Sequence, residues 1–469
     1  MGKDLRQFLQ AVKEAGPDYY VDVKKPLKPE FEVCVIQQKL AKEGRFPVIY
    51  CPEIEGSKLP LVTNLLGSYE LLGLALDINP KKADKAEILQ KFKRMQANPR
   101  SPAVVPASKA PVKEVVLQGK DIDLGLLPIT KHGRLDSGKY ITIGCMICKD
   151  PDTGIPNVGV YRMEVKRKDQ LSFCAAPSHH AGYIARRCAE LGKPMEVVIS
   201  LGHHPAAILG LLGKGSLDLN ELEVMGGLLG EPLQLTPAET VDIPVPAFAE
   251  IAIEGVVSDP RNMVTDGPFA EFTGYYGLKG SSPAYLIQIT AITMRKGAIY
   301  HDLDPAHQEH NLAVVLAYES SIYDAVKRVV PAVKAVHSPP SGTCIYHTYV
   351  SIRKRVPGEG KLAGLAALGG TPDVKLAVVV DEDIDVFDDK EVLWAMATRL
   401  EGDKGVTIIP EVAGANLDPS GYDENRLKYG SMNTKMIIDA TKPVGLPFST
   451  RITPPEDLWK SMNLDDYLK

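Results

Sequence analysis

The feature that most limits how this chain can fold is a run of strand-like segments between residues 111 and 310. "EVVLQG", "YITIGCMIC", "VGVYRMEVKR", "MEVVISLG", "AEIAIEGVV" and "AYLIQITAITM" are rich in β-branched residues, and many alternate in polarity. One helix interrupts them, "HAGYIARRCAELG" (His180–Gly192), with Ser178 as its expected N-cap. So many strands with so little helix must close on themselves or cover one another, which predicts a barrel or a folded sheet. The flanks read differently. Residues 1–110 mix amphipathic helices with short strands such as "FPVIY" (Phe46–Tyr50), an α/β region. "NPRSPAVVPASKAPVKE" (Asn98–Glu114) is rich in Pro and Ser and marks a boundary. Residues 311–469 return to α/β punctuation. A helix over "NLAVVLAYESSIYDAVKRVV" is followed later by an apolar strand, an acidic turn and a helix in "VKLAVVVDEDIDVFDDKEVLWAMATRL".

With 469 residues, 44% apolar and 24% charged, the chain can build two or three domains with real cores. A net charge of −5 gives no sign of a nucleic-acid-binding surface, and "KKPLK" (Lys24–Lys28) reads most simply as solvated surface. The N-terminus is interrupted by charges and carries Leu5, Phe8, Leu9 and Val12 at helical spacing, so no signal peptide is expected. Arg6 stands where a myristoylation motif needs Ser or Thr. No apolar run is long enough to span a bilayer. Seven scattered cysteines fit free thiols in a cytoplasmic protein. Cys145 and Cys148 form a C-x-x-C inside a strand-like run; without a second pair they read as half-buried thiols.

Several stretches could carry chemistry. "TDGPFAEFTGYYG" (Thr265–Gly277) sets Asp266 and Glu271 on a Gly-Pro bend among Phe269, Phe272, Tyr275 and Tyr276. An apolar wall raises a carboxyl pKa, as a proton donor near neutral pH requires; the plainer reading is a turn leading into a strand. "IPNVGVYRMEV" puts Asn157 and Arg162 on one expected strand, facing opposite sides unless a bulge near Gly159 intervenes. Arg162 is either a solvent-facing strand residue or a cation that holds a carboxylate. His179 and His180 fall at a helix start, as caps or as ligands. Glu221 and Glu223 precede paired glycines, and read locally as exposed helical acids. "HDLDPAHQEHN" holds His301, Asp302, Asp304, His307 and His310, a metal-site composition without a recognised spacing. "DEDIDVFDD" (Asp381–Asp389) is either a Mg²⁺ loop or a solvated strand end. No P-loop, dinucleotide fingerprint or nucleophile elbow is present.

Taken in order, Thr142, Asn157, Arg162, His180, Glu223 and "DGPFAE" (Asp266–Glu271) resemble the UbiD-type decarboxylases, which use prenylated FMN. "AETVDIPVPAFAEIAIEG" and "VVVDEDIDVFDDKEVLWAMATR" are similar to family segments too, so the resemblance spans almost the whole chain. It implies an N-terminal α/β region (1–110), a central split β-barrel of flavin-reductase type that binds the cofactor (111–310), and a C-terminal α/β oligomerisation domain (311–469). It implies Asn157, His180 and Glu223 as ligands of Mn²⁺ or Mg²⁺, with Glu221 the alternative acid, and K⁺ or Na⁺ nearby. Thr142, Val160, Arg162, His179 and Lys375 would contact the flavin with them. The implied catalytic set is Asp266, Arg162 and Glu271, although the family commonly has Glu at the first position.

The implied reaction is reversible, non-oxidative decarboxylation of an aromatic, heteroaromatic or α,β-unsaturated acid through a covalent flavin adduct, with Glu271 as proton donor. No side chain can take up the electron pair left on an sp² carbon, so a cofactor must. His301, His307, His310 and Phe272, or Tyr276, are the expected substrate contacts. The resemblance further implies a flavin prenyltransferase as cofactor supplier and a homo-oligomer, dimer or hexamer, with or without other subunits. Three other readings stay open: an aromatic carboxylase within a larger complex, a metal-dependent hydrolase built on His301–His310, and a non-catalytic subunit.

Overall fold

The computed structural model describes residues 2–175, 179–211, 218–277, 280–421 and 432–468. The expected strand-rich centre is one ten-stranded sheet, curled as a split barrel. Its path runs Tyr140–Ile141, Met163–Arg167, Gln170–Phe173, Ser282–Met294, Ile251–Val257, Met195–Leu201, Cys145–Lys149, Pro156–Val160. Its pairings are antiparallel. The 13-residue strand Ser282–Met294 organises it, because Val115–Gln118 and Met263–Asp266 also pair with it. Asp266 is thereby fixed opposite Ser282.

"VGVYRMEVKR" is two strands rather than one. Pro156–Val160 pairs in unbroken register with Cys145–Lys149, so Gly159 makes no bulge. The strand stops at Val160, and Arg162 lies in the connection before Met163–Arg167. The strict two-residue alternation therefore does not govern Arg162. Cys145 and Cys148 are fully buried rather than half-buried, and no disulfide forms among the described cysteines. The helix after them runs His180–Glu190 with His179 as N-cap; Ser178, the expected cap, lies outside the described residues.

Residues near the N-terminus form the helices Leu5–Ala15, Glu32–Lys42, Tyr69–Ala75 and Lys85–Gln96 around a small sheet. That sheet takes Tyr300–His301 as a parallel edge, setting His301 beside Val62. One continuous apolar cluster runs from Leu5 and Phe92 through Ile199 and Ile253 to Leu316. The Pro- and Ser-rich stretch is not a free linker: Ala103–Val104 pairs with Gln234–Leu235.

The 22-residue helix Gln308–Val329 leads into a mixed five-stranded sheet, ordered Val333–His337, His347–Ile352, Leu376–Asp381, Met432–Asp439, Val406–Ala413. Strand alternation divides its core. Val350, Ala377, Val379 and Ile437 face Gln308–Val329 and Glu359–Gly370, whereas Tyr349, Val378, Val380 and Ile438 face Asp389–Arg399. The acidic turn after Leu376–Asp381 is neutralised by protein cations: Arg399 binds Asp381 and Asp383 at 2.9 Å, and Lys442 binds Asp383 at 2.7 Å. That favours a structural turn over a Mg²⁺ loop. No helix among the described residues is long and apolar enough to cross a membrane.

Candidate active site

Arg162 joins the two acids of the Gly-Pro bend. Its Nε and Nη2 donate to Asp266 Oδ1 at 2.9 and 2.8 Å, and its Nη1 contacts Glu271 Oε1. Ser172 Oγ donates to the other Asp266 oxygen at 3.1 Å. Phe269 lies under the guanidinium, 4.9 Å from ring centre to Cζ, and Tyr140 packs on Phe269 at 4.5 Å. Asp266 is wholly buried and Glu271 is 9% exposed.

Burial pushes the Glu271 carboxyl up to about 7; Arg162 opposes this and the Asp266 charge adds to it. Burial raises Asp266 too, against the pull of Arg162. Two acids share one cation in a dry setting, which favours a proton on Glu271 far more than water does.

The bend is held by its own backbone. Gly267 has φ +92°, and a Cβ there would sit 2.8 Å from the Gly280 carbonyl, so glycine is required. Glu271 N–H donates to the Tyr275 carbonyl at 2.9 Å, and Gly267 N–H to Tyr140 Oη at 3.1 Å. Phe272 turns outward to meet Tyr346 at 5.5 Å and His310 at 6.2 Å, both edge-on. Tyr276 is not a free stacking ring, since its hydroxyl accepts the Leu135 N–H at 2.9 Å.

A second cluster forms where Pro156–Val160, His180–Glu190 and Glu221–Leu229 meet. The Asn157 amide lies 3.2 Å from His180 Nδ1 and 3.0 Å from Glu221 Oε1. Val158 N–H donates to Glu221 Oε2 at 3.1 Å. Glu221, not Glu223, therefore faces Asn157 and His180. Asn220 caps the helix, Glu221 is its first residue and turns inward, and Glu223 reaches Ser101 instead at 3.4 Å. Burial raises Glu221 to about 7, and no Lys or Arg pairs with it among the described residues. An Asn–His–Glu set with Asn157 and Glu221 buried and His180 partly exposed has the chemistry to hold a divalent ion.

Among the remaining candidates, Val160 ends its strand opposite Cys145, and the His179 ring packs near Tyr161 at 6.2 Å. Thr142 receives the Leu303 N–H at 3.2 Å and lies 3.5 Å from Asp302. Asp302 in turn binds His132 at 3.0 Å and Thr130 at 2.9 Å, a buried network not evident in the sequence. Lys375 pairs with Asp418 at 2.8 Å and Ser420 at 2.6 Å, and its ammonium lies over Tyr346 at 5.6 Å. Lys375 is thus placed on the C-terminal domain's side of the Phe272–Tyr346 contact.

The histidine-rich stretch disperses. His301 is buried with neither ring nitrogen bonded, His307 caps the long helix and meets Gln37 at 3.0 Å, and His310 bonds the Pro305 carbonyl at 2.7 Å. Among the described residues no three His, Cys, Asp or Glu side chains are grouped to hold a metal. Of these three histidines, His310 is the one that meets the Phe272 ring among the described residues.

Models of the three domains of 3-octaprenyl-4-hydroxybenzoate carboxy-lyase match the chain in order: the N-terminal domain at residues 15–92, the Rift-related domain at 103–307 and the C-terminal domain at 312–440. The chain belongs to the UbiD family of carboxy-lyases. The UbiD-class enzyme HmfF from Pelotomaculum thermopropionicum, solved with FMN, superposes with a TM-score of 0.91 at 36% identity, covering 99% of this chain and all of that one. The anhydromevalonate phosphate decarboxylase of Methanothermobacter thermautotrophicus is 33% identical over 94% of this chain and 97% of its own. The phenolic acid decarboxylase of Sedimentibacter hydroxybenzoicus is 31% identical over 97% and 95%. The split-barrel fold implied by the resemblance is thus the fold of this family.

Proposed function

We propose that this UbiD-family chain uses prenylated FMN to decarboxylate, reversibly and without net oxidation, an aromatic, heteroaromatic or α,β-unsaturated acid. The observation that carries the reading is the buried Asp266–Arg162–Glu271 set, with Glu271 held in the range where it can deliver a proton at neutral pH. Relatives that decarboxylate phenolic acids and anhydromevalonate phosphate support both an aromatic and an unsaturated substrate class. HmfF structures with FMN and with prenylated FMN support the cofactor.

When bound, the modified flavin supplies the covalent electron sink that the departing CO₂ requires. The protein's own residues do the rest. Asn157, His180 and Glu221 would hold Mn²⁺ or Mg²⁺ against the cofactor phosphate, with K⁺ or Na⁺ beside it. Arg162 orients both acids and opposes the rise that burial gives Asp266, while Glu271 gives its proton to the carbon that CO₂ leaves. In the carboxylation direction Glu271 takes that proton back. Phe269, backed by Tyr140, packs against the Arg162 guanidinium and helps hold it in place. Phe272 and His310 present a ring and an imidazole to the substrate side, where Tyr346 and Lys375 approach from the C-terminal domain.

The chain also assembles with copies of itself. Residues 452–468 are exposed throughout, with Ile452 97% and Trp459 74% accessible, and such surface calls for a covering partner. Mass spectrometry of small molecules released from protein co-expressed with a flavin prenyltransferase tests the cofactor. Prenylated FMN with stoichiometric Mn²⁺ or Mg²⁺ is expected; folded, metal-loaded protein that binds no flavin after anaerobic handling would contradict it.

A further inference from the structure

The turn "HGRLDS" (His132–Ser137) lies alongside the bend that carries Glu271, and the two are joined in step. Ser137 N–H donates to the Pro268 carbonyl at 2.9 Å, Asp136 Oδ1 accepts the Ala270 N–H at 2.9 Å, and Tyr276 Oη accepts the Leu135 N–H at 2.9 Å. Asp136 Oδ2 meanwhile accepts the Gly133 N–H at 2.6 Å, closing its own turn. A Cβ at Gly133 would stand 2.3 Å from Tyr276 Oη, so the approach of the two segments needs glycine. Asp136 is 3% exposed, and its partners are backbone N–H groups rather than a lysine or arginine. A buried carboxylate without a cation is costly to keep and is retained where its hydrogen bonds are specific. One of those bonds ends on the residue immediately before Glu271.

We propose that Asp136 is a positioning residue for proton transfer: its carboxylate pins Ala270 and so fixes where the Glu271 carboxyl sits against Arg162. This rests on Glu271 as the proton donor. The groups that face Glu271 are the Arg162 guanidinium, the Asp266 and Asp136 carboxylates, the Cys174 thiol and the Tyr346 phenol. Of these, Asp136 alone is hydrogen-bonded to the backbone next to Glu271. Its charge also favours the protonated form of Glu271. A neutral residue in its place therefore both loosens the bend and removes a charge that helps Glu271 keep its proton.

The test is Asp136→Asn and Asp136→Ala in the full-length holoenzyme. Two readouts are needed: kcat and KM, and the pH midpoint of the Glu271 carboxyl band, assigned by infrared difference against Glu271→Gln. The midpoint is expected to move to lower pH in both variants. kcat is expected to fall roughly tenfold to hundredfold, with KM changed less, because small misplacements of a reacting group carry costs of up to about that size. Asn, which keeps one acceptor oxygen, should retain more activity than Ala. A folded variant with unchanged kcat overturns the proposal, and lowered kcat at an unmoved midpoint keeps the positioning role while removing the charge effect. If Asp136 variants fail to fold, Tyr276→Phe removes the Leu135 contact without changing charge; lowered kcat at an unmoved midpoint supports the splint, and unchanged kcat overturns it. Full activity in Glu271→Gln would instead refute the donor role, while the infrared midpoint still reports whether Asp136 acts on Glu271.

Discussion

The Glu271 carboxyl is a weaker acid here than in water, and the sign of that change sets its pH behaviour. Its folded value of about 7 lies above the roughly 4.3 of a free glutamate, so the fold favours the protonated form. Stability from that preference is full below the unfolded value and is lost as pH rises through about 7. Donor capacity follows the same window. The kcat profile for decarboxylation should therefore show an alkaline limb near pH 7, and a flat profile to pH 9 would count against Glu271 as donor. That Asp266 and Glu271 lie together was legible because they share one short motif, and Arg162 was singled out as their partner through the ordered resemblance rather than by strand phase. Asp136 was not legible, since an aspartate between Leu135 and Ser137 looks like any turn residue until its partners are seen. The choice between Glu223 and Glu221 stayed open in the sequence for a geometric reason. Two residues turn a helix by about 200°, so a two-residue ambiguity reverses the face.

At the scale of elements, the metal-type cluster depends on three ends meeting: a strand, a helix start and a second helix start capped by Asn220. Glu221→Ala should abolish stoichiometric Mn²⁺ or Mg²⁺ in purified protein, whereas Glu223→Ala should keep it; elemental analysis of both variants decides. The reverse result would restore the sequence-based assignment to Glu223. Strand alternation predicted the sheets well, because β-branched runs have few other uses. It failed at Tyr161–Arg162, where the strand ends without any Gly or Pro inside those two residues to announce it. The histidine-rich stretch misled for the opposite reason. Its composition suggested a metal site, but a parallel edge strand, a turn and a helix cap send His301, His307 and His310 to different neighbours.

For the whole molecule, the sequence suggested three successive regions, and the physical cores divide differently. The N-terminal helices and the curled sheet share one apolar cluster, while the C-terminal sheet has its own on each face. No single segment's periodicity reports which other segment covers it. The C-terminal arm makes a further point. Arg451 is clamped to Glu391 at 2.6 and 2.7 Å and lies over Trp394 at 4.3 Å, and residues 452–468 beyond it are exposed. A six-residue helix such as Glu456–Ser461 is not stable alone in water, so it needs a surface to rest on. Removing the residues after Arg451 should leave a folded chain that sediments as a smaller species than the full protein. An unchanged sedimentation coefficient would show that the arm has no part in assembly.

The claim on which the rest depends is that Glu271 delivers the proton that replaces CO₂. It is tested most directly by turnover of Glu271→Gln, with cofactor and metal content matched to the unmodified protein. Loss of roughly 10²–10⁴-fold in kcat is expected, the usual contribution of a general acid. Full turnover in the matched variant would contradict the account.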